Sequence, residues 1–298
     1  MGNISSNSTN GVLDRFSESS KNSENSGPLV QIIFGLFLGL VLYVVLIFIE
    51  IIYKYYNRLT MNKTTLLADT YPTDDKTQVI SQNPANGGFN KSLYINVSDN
   101  ERTGIEFSYS FYLNVNPSTF RQELGLLHIF HKGYAQQFPL LAPGIYMRSD
   151  TNTLRVYMNT YKTWNNYLEV ENIPIGKWVH VVVSCKENSL EIFINGNISR
   201  KMSFDGFAPY QNNQDLICFS QRRITYNHTI IPSTDETGFN VYGQMKGFIS
   251  RLNYFSYALG YAEIQSLMDE GPSSKYGSLS ASPEIPPYLD DTWWSKGY

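Results

Sequence analysis

The sequence predicts an all-β protein, a two-sheet antiparallel jelly-roll sandwich with one short C-terminal helix, preceded by a single transmembrane helix. Three observations predict it. Residues 88–270 carry many short runs in which apolar and polar side chains alternate, broken at short intervals by Gly, Pro, Asn and Asp, the pattern of half-buried strands joined by turns. The composition favours pleated surfaces, with 22 tyrosines and 17 phenylalanines among 298 residues. The 21 residues from Leu29 to Ile49 contain no charge and only one strongly polar side chain, Gln31. At about 1.5 Å per residue such a helix spans roughly 30 Å, the thickness of a bilayer's hydrocarbon layer.

From the N-terminus, residues 1–28 are rich in Ser and Asn and poor in apolar side chains, so they are expected to be disordered. The chain opens Met1-Gly2-Asn3-Ile4-Ser5-Ser6, which fits an N-myristoylation site at Gly2. The alternative, a Ser/Asn tail that begins Met-Gly by chance, stands beside it. Residues 29–53 form the predicted membrane span. A cleaved signal sequence would have a shorter apolar core with basic residues just before it, whereas this run is longer and follows a polar segment. Tyr53, Tyr55 and Tyr56 beside Lys54 and Arg58 suit the interfacial layer. Orientation stays open. Lys54, Arg58 and Lys63 after the span slightly outnumber Arg15 and Lys21 before it, which favours a cytosolic C-terminal domain, while acylation of Gly2 would hold the N-terminus in the cytosol. Sequons at Asn62, Asn96, Asn197 and Asn227 are usable only on the lumenal side. Gly35 and Gly39 form a G-x-x-x-G that would permit helix dimerisation, although glycine is common in membrane helices.

Residues 54–87 read as a juxtamembrane linker, and the folded domain is expected over 88–270. Its predicted strands include SLYINV (92–97), IEFSYSFYLNV (105–115), LGLLHIF (124–130), TLRVYM (153–158) and KWVHVVVSC (177–185). In the last of these Val179, Val181, Val183 and Cys185 share one face, and His180, Val182 and Ser184 share the other. Both faces are largely apolar, so the strand should be central and covered on both sides. Two hairpins follow, through Lys186-Glu187-Asn188-Ser189 and through Asn195-Gly196, a pair that readily supplies positive φ. A single helix is expected from about Gly260 to Glu270, with Ala262, Ile264, Leu267 and Met268 at helical spacing. The two cysteines, Cys185 and Cys218, read as small core residues, with one disulfide as the alternative.

The net charge of −3 and the lack of a dense Lys/Arg run argue against nucleic acid as a partner. No phosphate loop or nucleophile elbow is present, and no cofactor is implied. His128 and His131 lie three apart in a strand-like segment, so they should point to opposite faces and could not share a metal ion. Glu169 and Glu171 share a strand face and form the nearest approach to a carboxylate pair. A half-buried strand with a charged solvent face is the simpler account.

Two blocks resemble a known family. Gly176-Lys-Trp178-Val-His180-Val-Val-Val with Ile192-Phe-Ile-Asn195-Gly196 resembles the G-x-W-x-H-V and Y-V-N-G core of laminin-G-like domains in the concanavalin A-like lectin/glucanase superfamily. Gly247-Phe-Ile-Ser-Arg-Leu-Asn-Tyr254-Phe-Ser-Tyr257-Ala258-Leu259, then Glu263-Ile264 and Leu267, is similar to their closing strand and helix. Tyr112 stands where tryptophan is common in that family. The resemblance implies a jelly roll in which Trp178, His180, Asn195, Gly196 and Gly247 are structural. It implies no catalysis, because the clustered carboxylates of the superfamily's glucanases are absent.

Two places are expected to make contacts. In the loop Tyr161-Lys-Thr-Trp164-Asn165-Asn166-Tyr167, aromatics could stack on sugars and amides could bond hydroxyls, unless Trp164 and Tyr167 fold back onto the sandwich. The Pro-rich tail 271–298 ends in Tyr288, Trp293 and Trp294, which should dock on their own domain or on a partner. In overall style the chain resembles membrane and minor capsid proteins of large eukaryotic DNA viruses. The expected function is a non-enzymatic, membrane-anchored structural or binding protein that meets the lipid bilayer and other membrane or capsid proteins. A membrane-tethered lectin that binds glycans is the alternative, and a glycosidase is a weaker third.

Overall fold

The computed structural model describes residues 27–74, 76–83, 95–96, 98, 105–121, 123–134, 139–204, 206–225 and 239–277. The expectations for Gly2, for most of SLYINV, for Asn227 and for Trp293 and Trp294 lie outside these residues.

The chain divides into two units, Met1–Met61 and Asn62–Tyr298. In the first, helix α1 covers Pro28–Met61, and Val30–Lys54 within it is long and apolar enough to cross a membrane. The helix runs past the expected end at residue 53. An ion pair one turn apart, Lys54 Nζ to Glu50 Oε1 at 2.7 Å, lies at that junction.

The second unit is an all-β sandwich of two sheets. Its strands are β1 (Lys63–Pro72), β2 (Gln78–Ile80), β3 (Glu106–Val115), β4 (Leu126–Tyr134), β5 (Leu140–Arg148), β6 (Leu154–Tyr157) and β7 (Tyr167–Val170). They continue with β8 (Trp178–Lys186), β9 (Ser189–Ile194), β10 (Asn197–Ser203), β11 (Leu216–Cys218), β12 (Arg223–Ile224), β13 (Val241–Gln244) and β14 (Gly247–Phe255). The six-stranded sheet has the order β1-β14-β3-β8-β9-β10, and the other runs β12-β13-β4-β5-β6-β7 with β11 between β4 and β2. Pairing is antiparallel except between β13 and β4, which run parallel.

The reading of 54–87 as a linker is corrected. Lys63–Pro72 is an edge strand paired with β14, and Gln78–Ile80 pairs with β11. Register breaks between Thr65 and Leu67 and between Leu67 and Thr70 interrupt the alternation. Leu66 and Leu67 are consequently both buried, and no period-two signal survives.

The core explains the remaining strands. Phe107, Tyr109, Phe111, Leu113 and Val115 of β3 meet Ile129, Phe130, Ile145, Met147, Leu154 and Val156 across the sandwich. Each such buried side chain contributes about 1.5–3 kcal/mol. In β8 every residue from Val179 to Cys185 is buried, with β3 on one side, β9 on the other and both faces covered. The hairpin turns hold Glu187 at φ 52, Asn195 at φ 47 and Gly196 at φ 78. Helix α2 (Tyr261–Asp269) begins where Glu263 accepts the Gly260 N–H at 2.7 Å, and it buries Ile264 and Leu267. The Tyr112 hydroxyl lies 2.8 and 2.7 Å from the Leu267 and Met268 carbonyls and so ties the end of α2 to the sheet. Cys185 and Cys218 are buried free thiols, so the disulfide alternative falls. Burial pushes the Cys185 thiol up to about 12.

Candidate functional site

A second apolar cluster lies on the outer face of the β4-β5-β6-β7 sheet. Leu126, Leu141, Tyr146, Tyr157, Phe239 and Val241 form it, with Trp164, Tyr167 and Ile224 packed against it. Period two places these residues opposite the main core, so His128, Tyr146, Arg155 and Glu169, directly cross-strand from one another, share their face.

This corrects two expectations. His128 and His131 do not point to opposite faces: His128 Nε2 lies 2.6 Å from His131 Nδ1. A register shift between His128 and Phe130 adds a residue to β4, sends both Ile129 and Phe130 into the core, and brings the two imidazoles together. The Glu169 side of β7 is also not a simple solvent face. Arg155, only 2% exposed, donates from Nε to Glu169 Oε1 at 2.8 Å and from Nη1 to the Tyr157 hydroxyl at 3.0 Å. Its guanidinium lies 4.2 Å from the centre of the Tyr167 ring. Arg148 approaches the same carboxylate at 3.7 Å. Glu169 is thus held by two arginines, while Glu171 is exposed beyond the end of β7. The signal for Arg155 was its place one face away from Leu154 and Val156 in TLRVYM, but burial of that face depends on Phe239 and Trp164, far away in sequence or across a loop.

Between β6 and β7 the loop is internally braced. The Thr160 N–H donates to Thr163 O at 2.9 Å, the Thr163 N–H donates back to Thr160 Oγ1 at 3.1 Å, and Asn166 Nδ2 donates to Thr163 Oγ1 at 2.8 Å. It is also tied to the 208–210 segment, through Tyr161 N–H to Ala208 O at 3.2 Å and Tyr210 N–H to Asn159 O at 2.9 Å. Trp164 stacks on Tyr157 at 6.4 Å and meets Phe239 edge-on at 5.7 Å, and Tyr167 packs on Tyr157 at 5.5 Å. Both rings fold back and are half-buried. Tyr161 instead is 71% exposed, with its ring beside Tyr210 at 5.2 Å. Asn165 is half-buried at the tip.

Two clefts flank this loop. One, of about 450 Å³, is lined by Tyr134, Pro139, Leu140, Tyr161 and Trp164, and the other, of about 360 Å³, by Asn166, Met202, Phe204 and Phe207. Thr160, Lys162 and Thr163 line both. The Lys162 ammonium lies 4.5 Å from the centre of the Phe207 ring, at the ridge between them. Tyr134 and Phe207 escaped the sequence reading because nothing near them in the chain marks a pocket.

The five family-motif residues lie on the other sheet. Trp178 packs near Phe248 at 6.5 Å. His180 is buried, its Nε2 2.9 Å from Ser110 Oγ and its ring 4.8 Å from that of Tyr112. Asn195 Oδ1 accepts the His180 N–H at 2.9 Å, which ties the β9–β10 turn to β8. A Cβ on Gly196 would lie 2.3 Å from Gln265 of α2, whose side chain donates to the Gly196 carbonyl at 3.1 Å. A Cβ on Gly247, at φ +150, would lie 2.0 Å from the Asn114 carbonyl oxygen. Among the described residues no group of three or more His, Cys, Asp or Glu could hold a metal ion.

Residues 86–265 match the laminin G type of the concanavalin A-like lectin/glucanases superfamily. No curated protein matches the chain in sequence. Similar solved structures include the receptor binding domain of botulinum neurotoxin D, at 12% identity and a TM-score of 0.43 over 69% of this chain and 52% of that one. The ligand binding domain of the serotype D toxin in complex with N-acetylneuraminic acid follows at 12% and 0.41, over 66% and 47%. The binding domain of Paraclostridial Mosquitocidal Protein 1 gives 15% and 0.37, over 70% and 46%. The chain thus spans about half the length of each.

Proposed function

The chain belongs to the concanavalin A-like lectin/glucanase superfamily, and from that premise we propose that it is a membrane-tethered, non-enzymatic saccharide-binding module whose site is the braced Thr160–Asn166 loop and its two clefts. The observation that carries this reading is the ridge itself. Exposed Tyr161 offers an aromatic face, Lys162 offers a donor to both clefts, and the internal hydrogen bonds of the loop reduce the ordering cost of binding. Helix α1 supplies the tether to the bilayer, and Gly35 and Gly39 would let two copies meet within it. Glu169 is engaged by Arg155 and Arg148, which favours binding over hydrolysis.

The test is calorimetry of the full chain in lipid nanodiscs against a panel of neutral and acidic oligosaccharides. At least one should bind, with affinity lost in Tyr161→Ala and Lys162→Gln at unchanged melting temperature. No binding across the panel, or equal binding by both variants, overturns the reading.

A second reading, attachment between membrane and capsid in a virion of a large DNA virus, is favoured by an outer aromatic group. Phe248 lies 6.5 Å from Trp178 and 6.0 Å from Tyr276. Co-purification with virions, lost on Trp293→Ala with Trp294→Ala, would support it. Intact mass of the native protein decides sidedness. A glycan at exposed Asn96 or Asn197 puts the domain in the lumen, and an acyl group on Gly2 puts the N-terminus in the cytosol.

A further inference from the structure

The bulge in β4 creates a hydrogen-bond chain whose direction is determined by its first donor. The backbone N–H of Ser220 donates to His128 Nδ1 at 2.9 Å, so that nitrogen carries no proton. A neutral imidazole then carries its proton on Nε2. That atom faces His131 Nδ1 at 2.6 Å, which makes His131 Nδ1 an acceptor and leaves its own proton on Nε2. The rings are 1% and 3% exposed, and His131 Nε2 is buried without a partner. An imidazolium donates from both nitrogens. A proton added to His128 therefore sets N–H against the Ser220 N–H, and one added to His131 sets N–H against the His128 N–H. Shifting the His128 tautomer to relieve the second clash recreates the first.

Among the described residues no carboxylate compensates a charge added to either ring. Tyr146 of β5, its ring 5.4 Å from His128, has a buried hydroxyl without a partner, and Gln244 of β13 opposite His128 is uncharged. Lys132 follows His131 and donates to Gln214 O at 2.7 Å, with Asp215 acting on that ammonium. Arg155 and Glu169 neutralise each other further along the face, and Arg222 and Arg223 follow Ser220. Among the described residues neither histidine forms an ion pair with a carboxylate. Burial holds both rings below the ordinary histidine range, His131 down to about 4.

Ser220 ends the run by which this part of the chain is fastened to β4: residues 216–218 pair with Lys132, His131 and Phe130, and the Phe219 N–H donates to Ile129 O at 3.0 Å. Gln221 to Arg223 are exposed. We propose that the His128–His131 pair is an acid-sensitive clip: one proton taken up by the pair breaks the Ser220 link and frees residues 220–222, the stretch between the β11 pairing with β4 and the β12 pairing with β13. The clip holds at neutral pH and opens in acid. It is independent of the saccharide reading.

Amide hydrogen exchange of the full chain in nanodiscs, corrected for intrinsic rates, tests this between pH 7.5 and 4.5. As pH falls to 4.5, peptides covering 220–222 should lose at least about tenfold more protection than β3 and β8, whose own loss reports the global destabilisation. The His128→Gln/His131→Gln variant, whose amides offer donor and acceptor without titrating, should lose no more protection over 220–222 than over β3 and β8. A wild-type loss over 220–222 no greater than that of β3 and β8, or the same excess loss in the double variant, overturns the proposal. Should the variant not fold, histidine nitrogen NMR of the wild type decides. The Nε2–H tautomer on both rings, with midpoints below about 5 that coincide with loss of the Ser220 amide, supports the clip, and any other tautomer or a midpoint near the ordinary value of about 6.5 overturns it.

Discussion

Lowering the pH should destabilise the sandwich through His180, by an amount its surroundings set. The ring is 1% exposed beside Ser110 and Tyr112 of β3, bonded at Nε2 to Ser110, with a buried Nδ1 that has no partner. Burial holds it at about 4, against 6.5 ordinarily. A base with a lowered folded pKa stays neutral in the fold. Above pH 6.5 folded and unfolded chains are both neutral there and stability is whole. Below it the unfolded chain takes a proton that the fold refuses, so stability falls until pH 4. The shift corresponds to a loss of about 3 kcal/mol by pH 4 and about 2 kcal/mol at pH 5. Urea denaturation of the detergent-solubilised chain, followed by tryptophan fluorescence at pH 7.5, 6.5, 5.5 and 5.0, measures it. His128 and His131 add to the wild-type slope, so the informative quantity is the difference from His180→Gln, whose amide cannot titrate. That difference should move by about 2 kcal/mol in favour of the variant between pH 7.5 and 5. A constant difference across that range would refute the assignment of a buried, neutral His180.

Other perturbations probe the packing. Gly247→Ala drives a Cβ to 2.0 Å from the Asn114 carbonyl at a positive φ, and should cost about 3 kcal/mol, read as a loss of folded yield and a lower urea midpoint. Tyr112→Phe removes the hydroxyl that holds two α2 carbonyls. It should cost about 1–2 kcal/mol, with a Tm lower by roughly 3–6 °C in calorimetry. Glu169→Ala takes from buried Arg155 the carboxylate 2.8 Å away, and should cost about 3 kcal/mol in urea denaturation; a stability change under 0.5 kcal/mol would show that this pair contributes little.

Some features were legible because their causes are local. Leu29–Ile49 reads as an apolar helix from its length and lack of charge, and Val179–Cys185 as a doubly covered strand from two apolar faces. The Asn195-Gly196 turn follows from the φ values those residues tolerate. The β6–β7 loop was legible as a place with exposed aromatics, but which rings stay exposed was not. Trp164 packs on Tyr157 and Phe239, whereas Tyr161 rests beside Tyr210 and remains open to solvent.

What the sequence alone determined is the all-β, two-sheet character of the domain and the apolar helix before it, since periodicity and residue preference act within a few residues. The tertiary structure decided the rest. Strand β1 was hidden because its bulges erase alternation and its partner β14 lies near the other end of the chain. The meeting of His128 and His131 depended on a single extra residue in β4, which reverses the face of everything after it. Burial of Arg155 depended on a second apolar cluster assembled from β4, β5, β6 and Phe239 on the outer face. In each case the deciding contact is made by residues that only pairing in space brings together, and no local pattern encodes it.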